Sequence, residues 1–323
     1  MAGGLGALLS PVILFFALGA AAAFARSDLS VPEAVAKGMS LYLMAAIGLK
    51  GGVQVAESGF TADMLAAAAV GVALSSLLPL PAFAALRRFG GLDPLNAGAV
   101  AAHYGSVSVV TFVAGVELLA AGGLRPAGHM VAVLALMETP AIVVGLLLAR
   151  RGGDGAAAGG AKAGGDLLHE ALLNGSVVLL MGSFAIGLAC GKEGVAPIAP
   201  VFDTAFRGVL CLFLLDMGLV AARRLRDARA LTPRLAALAV LLPIVNGTVG
   251  VLAAGLAGLD SASAAALGVL AGSASYIAVP AAMRLALPQA DPGLYLAMSL
   301  AVTFPFNLAV GIPFYTLLAT RLI

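Results

Sequence analysis

The sequence predicts an all-α integral membrane protein of about ten transmembrane helices, built as a 5+5 inverted repeat with two broken crossing helices, the fourth and the ninth. Three observations carry that prediction. Hydrophobic residues make up 61% of the chain and charged residues 11%, too apolar a balance for a water-soluble domain. Apolar runs of about 20 residues recur from end to end, each long enough to cross a hydrocarbon core of about 30 Å. Within these runs polar and apolar residues do not alternate, so the spans are helices and not barrel strands.

The stretches run 6–25, 32–49, 62–86, 93–121 and 126–149, then 169–190, 197–222, 231–257, 260–286 and 291–319. The first has no Lys or Arg before it, unlike a signal peptide with its basic leading region, and is kept as a span. The second stops before Lys50 and the third before Arg87-Arg88. A straight helix over 93–121 would be about 43 Å long, which demands a strong tilt or a break, and 260–286 poses the same problem. The fifth ends at Arg150-Arg151, where a Gly/Ala linker begins. The expected organisation is a first five-helix repeat at 1–151, a linker at 152–166 and a second, inverted five-helix repeat at 167–323.

The halves match at a nearly constant offset. Gly38 and Gly48 stand 170 residues before Gly208 and Gly218; Leu92-Asp93 and Gly105-Ser106 stand 167 before Leu259-Asp260 and Gly272-Ser273; Gly145 stands 166 before Gly311. Repeats with an odd number of spans insert in opposite senses, the arrangement of many secondary transporters. Thirteen basic residues fall on one side (Arg26, Lys37, Arg87, Arg88, Arg150, Arg151, Lys162, Arg223, Arg224, Arg226, Arg229, Arg234, Arg284) and four on the other (Lys50, Arg125, Lys192, Arg321), with Arg207 unassigned. This bias places the linker in the cytoplasm and both termini outside. A net charge of +2 gives no reason to expect nucleic acid, and Cys190 and Cys211, both in apolar runs, read as packing residues.

At each break Gly can leave helical geometry without a Cβ penalty, and the Ser after it suits the N-cap of the half-helix that resumes. Pro280 helps isolate the second half-helix. Free N–H groups and the positive helix end then favour an anion, with Gly105, Ser106, Val107 and Ser108 facing Gly272, Ser273, Ala274, Ser275 and Tyr276. Released carbonyls and the Ser hydroxyls can replace the water shell of sodium. The alternative is that Gly and Ser simply allow close helix packing.

Other polar residues in the spans extend the list of sodium ligands to Glu138, Thr303, Asn307 and His103 beside Ser108 and Ser275. An ionisable residue at the depth of Glu138 is costly and functional by default; its repeat counterpart is Phe304. Asn307 reads either as a carbonyl ligand or as a bridge between helices, and His103 as a ligand or a helix-to-helix donor. Asp216 has no obvious partner, since Arg207 lies on a different turn. No H-E-x-x-H or G-x-S-x-G pattern supports an enzyme. No cofactor is expected beyond sodium as coupling ion.

Taken together, Ile47-Gly48-Leu49-Lys50-Gly51-Gly52, Gly105-Ser106, Met137-Glu138-Thr139-Pro140-Ala141, Phe206-Arg207-Gly208 with Met217-Gly218, and Ser273-Ala274-Ser275 with Pro280 and Arg284 resemble the sodium-dependent bicarbonate transporters first recognised in cyanobacteria. The resemblance covers nearly the whole chain. It implies a core and a gate domain, a fold related to bile-acid sodium symporters, a homotrimer in the bacterial inner membrane, and bicarbonate between the broken helices with sodium beside it. Tyr276, Ala274, Ala278 and Val107 depart from the family pattern and lower the charge and hydroxyl count at the site, which keeps a sodium-coupled organic anion open as alternative cargo. The linker, short and poor in charge, argues against binding of the family's PII-like regulator.

Overall fold

A computed structural model describes residues 10–151, 175–228 and 230–323. The predicted linker 152–166 and the first residues of the first stretch lie outside the described residues. The elements are α1 (Pro11–Phe24), α2 (Glu33–Ser58), α3 (Ala62–Leu77), α4 (Pro79–Arg88), α5 (Pro94–Gly105), α6 (Val109–Ala121), α7 (Met130–Arg151), α8 (Gly175–Val195), α9 (Phe206–Asp227), α10 (Pro233–Leu256), α11 (Ser261–Ala271), α12 (Ala278–Ala286) and α13 (Pro292–Leu322). Among the described residues there is no strand. Among the described residues, seven helical stretches are long and apolar enough to cross a membrane: α2, α3 with α4, α5 with α6, α7, α8, α10 and α13. Large apolar side chains such as Leu65, Leu241, Val245 and Leu256 are exposed, as a lipid-facing surface requires.

Two boundaries differ from the sequence reading for visible reasons. Helix α2 continues past Lys50 to Ser58, because the Lys50 amine is held by Asp203 at 2.8 Å and lies over the Phe206 ring. The paired charge does not force a helix end there. The seventh stretch becomes regular only at Phe206, since Pro197 and Pro200 confine the preceding chain to a short 3₁₀ turn and a π turn.

Two helix pairs are packed through glycine. Helix α1 runs parallel to α9, and a Cβ on Gly19 or Gly218 would collide with the backbone of Leu215 or Phe16. Helix α2 runs parallel to α8, where Gly48, Gly52 and Gly187 would meet the backbones of Leu180, Phe184 and Leu49. Small residues let these backbones approach to contact, which substitutes for a hydrophobic drive that lipid does not supply. Helices α3 to α7 and α10 to α13 pack around the two interrupted stretches. There α5 is buried from Ala97 to Gly105 and α11 from Ala262 to Ala271.

The interrupted stretches begin alike. Gly91 and Gly258 take positive φ (68° and 78°), each followed by Leu and then a capping Asp. Asp93 Oδ1 accepts from Leu95 and Asn96 N–H, and Asp260 Oδ1 from Ala262 and Ser263 N–H. These bonds satisfy donors that a helix start leaves open. Burial would raise the Asp93 carboxyl, but the bonds from Asn96 and Leu95 outweigh it and hold the group below its ordinary value.

Candidate functional site

Both predicted breaks exist, but glycine and serine divide the work differently from the sequence reading. Neither Gly105 nor Gly272 adopts positive φ. Their small size is what matters: a Cβ on Gly105 would strike Pro79, and one on Gly272 would strike Tyr315. Ser106 closes α5 in extended geometry, and the N-cap of α6 is Ser108, whose Oγ accepts from Thr111 N–H at 3.2 Å. In the second break the N-cap position of α12 is Ile277, with no side-chain cap, while Ser275 Oγ accepts from Val279 N–H at 3.4 Å.

The breaks bind each other. Ser108 N–H donates to Ser273 Oγ at 2.9 Å, and Ser275 N–H donates to the His103 carbonyl at 2.9 Å. Ser273 Oγ in turn donates to the Leu270 carbonyl, one of those freed at the end of α11. Each break thus repairs part of the other's lost helix ladder in a region where water cannot. Gly105, Ser106, Gly272, Ser273 and Ala274 serve this junction.

Helix α7 is opened beside it. Pro140 removes one backbone donor, and Ser75 of α3 enters the gap by donating to the Met137 carbonyl (2.6 Å) and accepting from Ala141 N–H (3.2 Å). Ser106 Oγ donates to the Glu138 carbonyl at 3.1 Å. The Glu138 side chain is 3% exposed, and its Oε2 has no hydrogen-bond partner. It lines a small pocket with Met44, Val107, Ser108, Ser275, Tyr276 and Ile277, with room for about one water-sized guest. The Tyr276 hydroxyl interacts electrostatically with Ser108 but makes no hydrogen bond of good geometry. The starts of α6 and α12 face the same space. One pocket therefore joins two positive helix ends, three hydroxyls (Ser108, Ser275 and Tyr276) and a lone buried carboxylate.

The remaining predicted ligands are committed elsewhere. Pro243 in α10 leaves the Ala239 carbonyl without its usual donor, and Thr303 Oγ1 supplies one at 2.6 Å. With that proton used, Tyr104 Oη is the donor in its 2.7 Å bond to Thr303 Oγ1. Asn307 donates to the Gly272 carbonyl at 2.8 Å, and its Oδ1 lies 3.1 Å from the Tyr315 hydroxyl. It is the bridge between a helix and a break. His103 bonds through Nδ1 to the Ala99 carbonyl and stacks on Tyr295, leaving Nε2 without a partner. Among the described residues no three His, Cys, Asp or Glu side chains gather as a metal cluster.

A model of the Na+-dependent bicarbonate transporter superfamily matches residues 11–320. The chain belongs to that family. It is a transporter and a multi-pass membrane protein, and it is not an enzyme. No curated protein matches the chain.

Within this member of the Na+-dependent bicarbonate transporter superfamily, the structure gives partners to residues that the sequence left without one. Arg207 in α9, which had no assigned side, pairs with Glu117 of α6 at 2.6 Å. An intramembrane acid and an intramembrane base were the available signal, but they stand 90 residues apart. Asp216, buried in α9, lies within reach of the Arg223 charge. Met44, which closes the pocket from α2, has no sequence mark at all.

Proposed function

We propose that the protein is a sodium-coupled symporter of a small anion, bicarbonate first, that works by alternating access. The observation that carries this reading is the pocket between the breaks, where a carboxylate with an unpartnered oxygen meets two helix N-terminal ends. An anion placed at those ends would be repelled by Glu138. A sodium ion held by Glu138, Ser108 and Ser275 offsets that repulsion, so each ion needs the other. Coupling follows from charge balance in a site with little water. Val107 and Tyr276 complete the wall, and Ser106 and Ser273 position it; Thr303, Asn307 and His103 support the surrounding helices.

The opposed five-helix repeat supports alternating access. Counting α3 with α4, α5 with α6 and α11 with α12 once each leaves ten helical stretches among the described residues, and the pairs α1/α9 and α2/α8 are exchanged by the repeat operation. Both pairs are parallel, as first-with-seventh and second-with-sixth crossings must be. The same Gly-Leu-Asp start recurs at 91–93 and 258–260. We assign the four paired helices to a gate and the rest to a core, with 152–166 as cytoplasmic linker, the termini outside, and a homotrimer in the inner membrane as in the family resemblance.

Uptake of labelled bicarbonate into proteoliposomes, with sodium or potassium outside, tests the proposal. Uptake must require sodium and must fall in Ser108→Ala and Ser275→Ala. Uptake indifferent to sodium would sink the symport reading. The apolar lining from Met44, Val107 and Ile277 favours a second cargo, an organic carboxylate, and preferential sodium-dependent carboxylate uptake would put it first.

A further inference from the structure

At the ends of α1 and α9 a cleft with about 720 Å³ of empty space, part of it open to solvent, is lined by Ala23, Arg26, Ser27, Arg223 and Arg226. Three guanidinium groups on one cleft are more than a basic loop requires. Two are held in place: Arg223 Nη2 donates to the Leu29 carbonyl at 2.9 Å and Arg226 Nη1 to the Ala23 carbonyl at 3.5 Å. The third sits on costly backbone. Arg26 N–H bonds to the Ala23 carbonyl and Ser27 N–H to the Ala22 carbonyl, the pattern that closes a helix with a left-handed residue, ordinarily glycine. Arg26 fills that position at φ 57°, the only non-glycine residue with positive φ among the described residues. A glycine would close the helix at less strain but would bring no charge to the cleft.

Apolar surface adjoins these arginines. Phe24, Leu29 and Leu225 are exposed, at 59%, 38% and 39%. A free phosphate would use the guanidiniums alone, whereas a phospholipid would use both surfaces, its phosphate on the arginines and its chains along the apolar side chains. Among the described side chains, the buried Asp216 lies within reach of the Arg223 charge and offsets part of it. We infer that the Arg26–Arg223–Arg226 cleft binds the phosphate of an anionic phospholipid, which bridges the two gate helices α1 and α9 on the face that carries most of the Lys and Arg.

Native mass spectrometry of the purified full chain, titrated with phosphatidylglycerol or with phosphatidylethanolamine of the same acyl composition, tests this. The wild type should hold phosphatidylglycerol more tightly. Arg26→Gly and Arg226→Gln should each weaken phosphatidylglycerol by about fivefold, the contribution of one arginine near a charged surface. Phosphatidylethanolamine binding should not change, and Arg26→Lys should retain the preference. Arg26→Gly should melt no lower than wild type without added lipid, because glycine suits the left-handed position. No preference in the wild type, an undiminished preference in Arg26→Gly, or an equal fall for both lipids would each overturn the proposal. Inorganic phosphate that displaced phosphatidylglycerol at matching concentration would overturn it in favour of a free-phosphate site.

Discussion

Glu138→Gln separates charge balance from every other account of coupling at the junction. The substitution keeps the shape of the side chain and removes its charge, so the pocket and the Ser106 bond to the Glu138 carbonyl survive. The pocket as it stands admits about one water-sized guest, so it must widen to take the anion beside sodium; with the anion about 5 Å from the carboxylate and an effective dielectric of about 20, the repulsion is about 3 kcal/mol. That corresponds to about 200-fold in anion affinity without sodium. Wild type should therefore bind the anion only with sodium present, whereas Glu138→Gln should bind it in potassium about 200-fold better than wild type in potassium. Sodium should then add little further affinity. Isothermal titration of the purified protein with the anion, in sodium and in potassium, reads this directly, and labelled sodium binding should fall in the same variant. A Glu138→Gln protein whose anion affinity still depends on sodium as steeply as wild type would refute the charge-balance argument and move the coupling ion elsewhere.

Other outcomes follow from the fold. Gly218→Val and Gly52→Val place a side chain against the backbone of the partner helix and should each destabilise the protein by about 1–3 kcal/mol, seen as a lower melting temperature in detergent. Gly38→Ala and Gly208→Ala meet nothing within 4 Å and should raise stability by up to about 1 kcal/mol; a melting temperature that fell in both would contradict the packing described. Arg207→Gln breaks the 2.6 Å pair between α9 and Glu117 of α6. With the arginine side chain 69% exposed, stability should change by less than about 1 kcal/mol, but accessibility of a cysteine introduced beside Ser108 should rise as the two bundles separate. Asp93→Ala removes a helix cap and should cost about 1 kcal/mol. Because the Asp93 carboxyl is depressed in the fold, that cap contributes fully above the ordinary carboxylate range near pH 4 and is lost as pH falls through the folded value, so wild type and Asp93→Ala should converge in melting temperature under strong acid.

How much of this was legible in sequence depends on how far each feature reaches along the chain. The helical stretches were legible because lipid imposes about 20 apolar residues on each, and the breaks because Gly-Ser falls where a straight helix would be too long. The junction between the breaks was legible only as a suspicion. Which serine caps α6 is decided by two residues of extended backbone, and Ser108 takes the role assigned to Ser106. Thr303 and Asn307 stood in the region expected for sodium, yet Thr303 answers a carbonyl orphaned by Pro243 and Asn307 answers one released at Gly272, partners that no local spacing reveals. A proline far away in sequence had already determined what Thr303 could do.

Glu138 is the informative contrast. Its carbonyl accepts from Ser106, and Ser75 bridges the Met137 carbonyl and the Ala141 N–H, so the helix beside Pro140 is repaired at these three groups. Its side-chain oxygen is not. In a membrane interior polar groups are paired wherever the fold can pair them, and here the fold has supplied donors within the same turn to carbonyls while leaving the carboxylate without one. The carboxylate is thus open to a partner from outside the fold, the place that the proposed coupling ion takes.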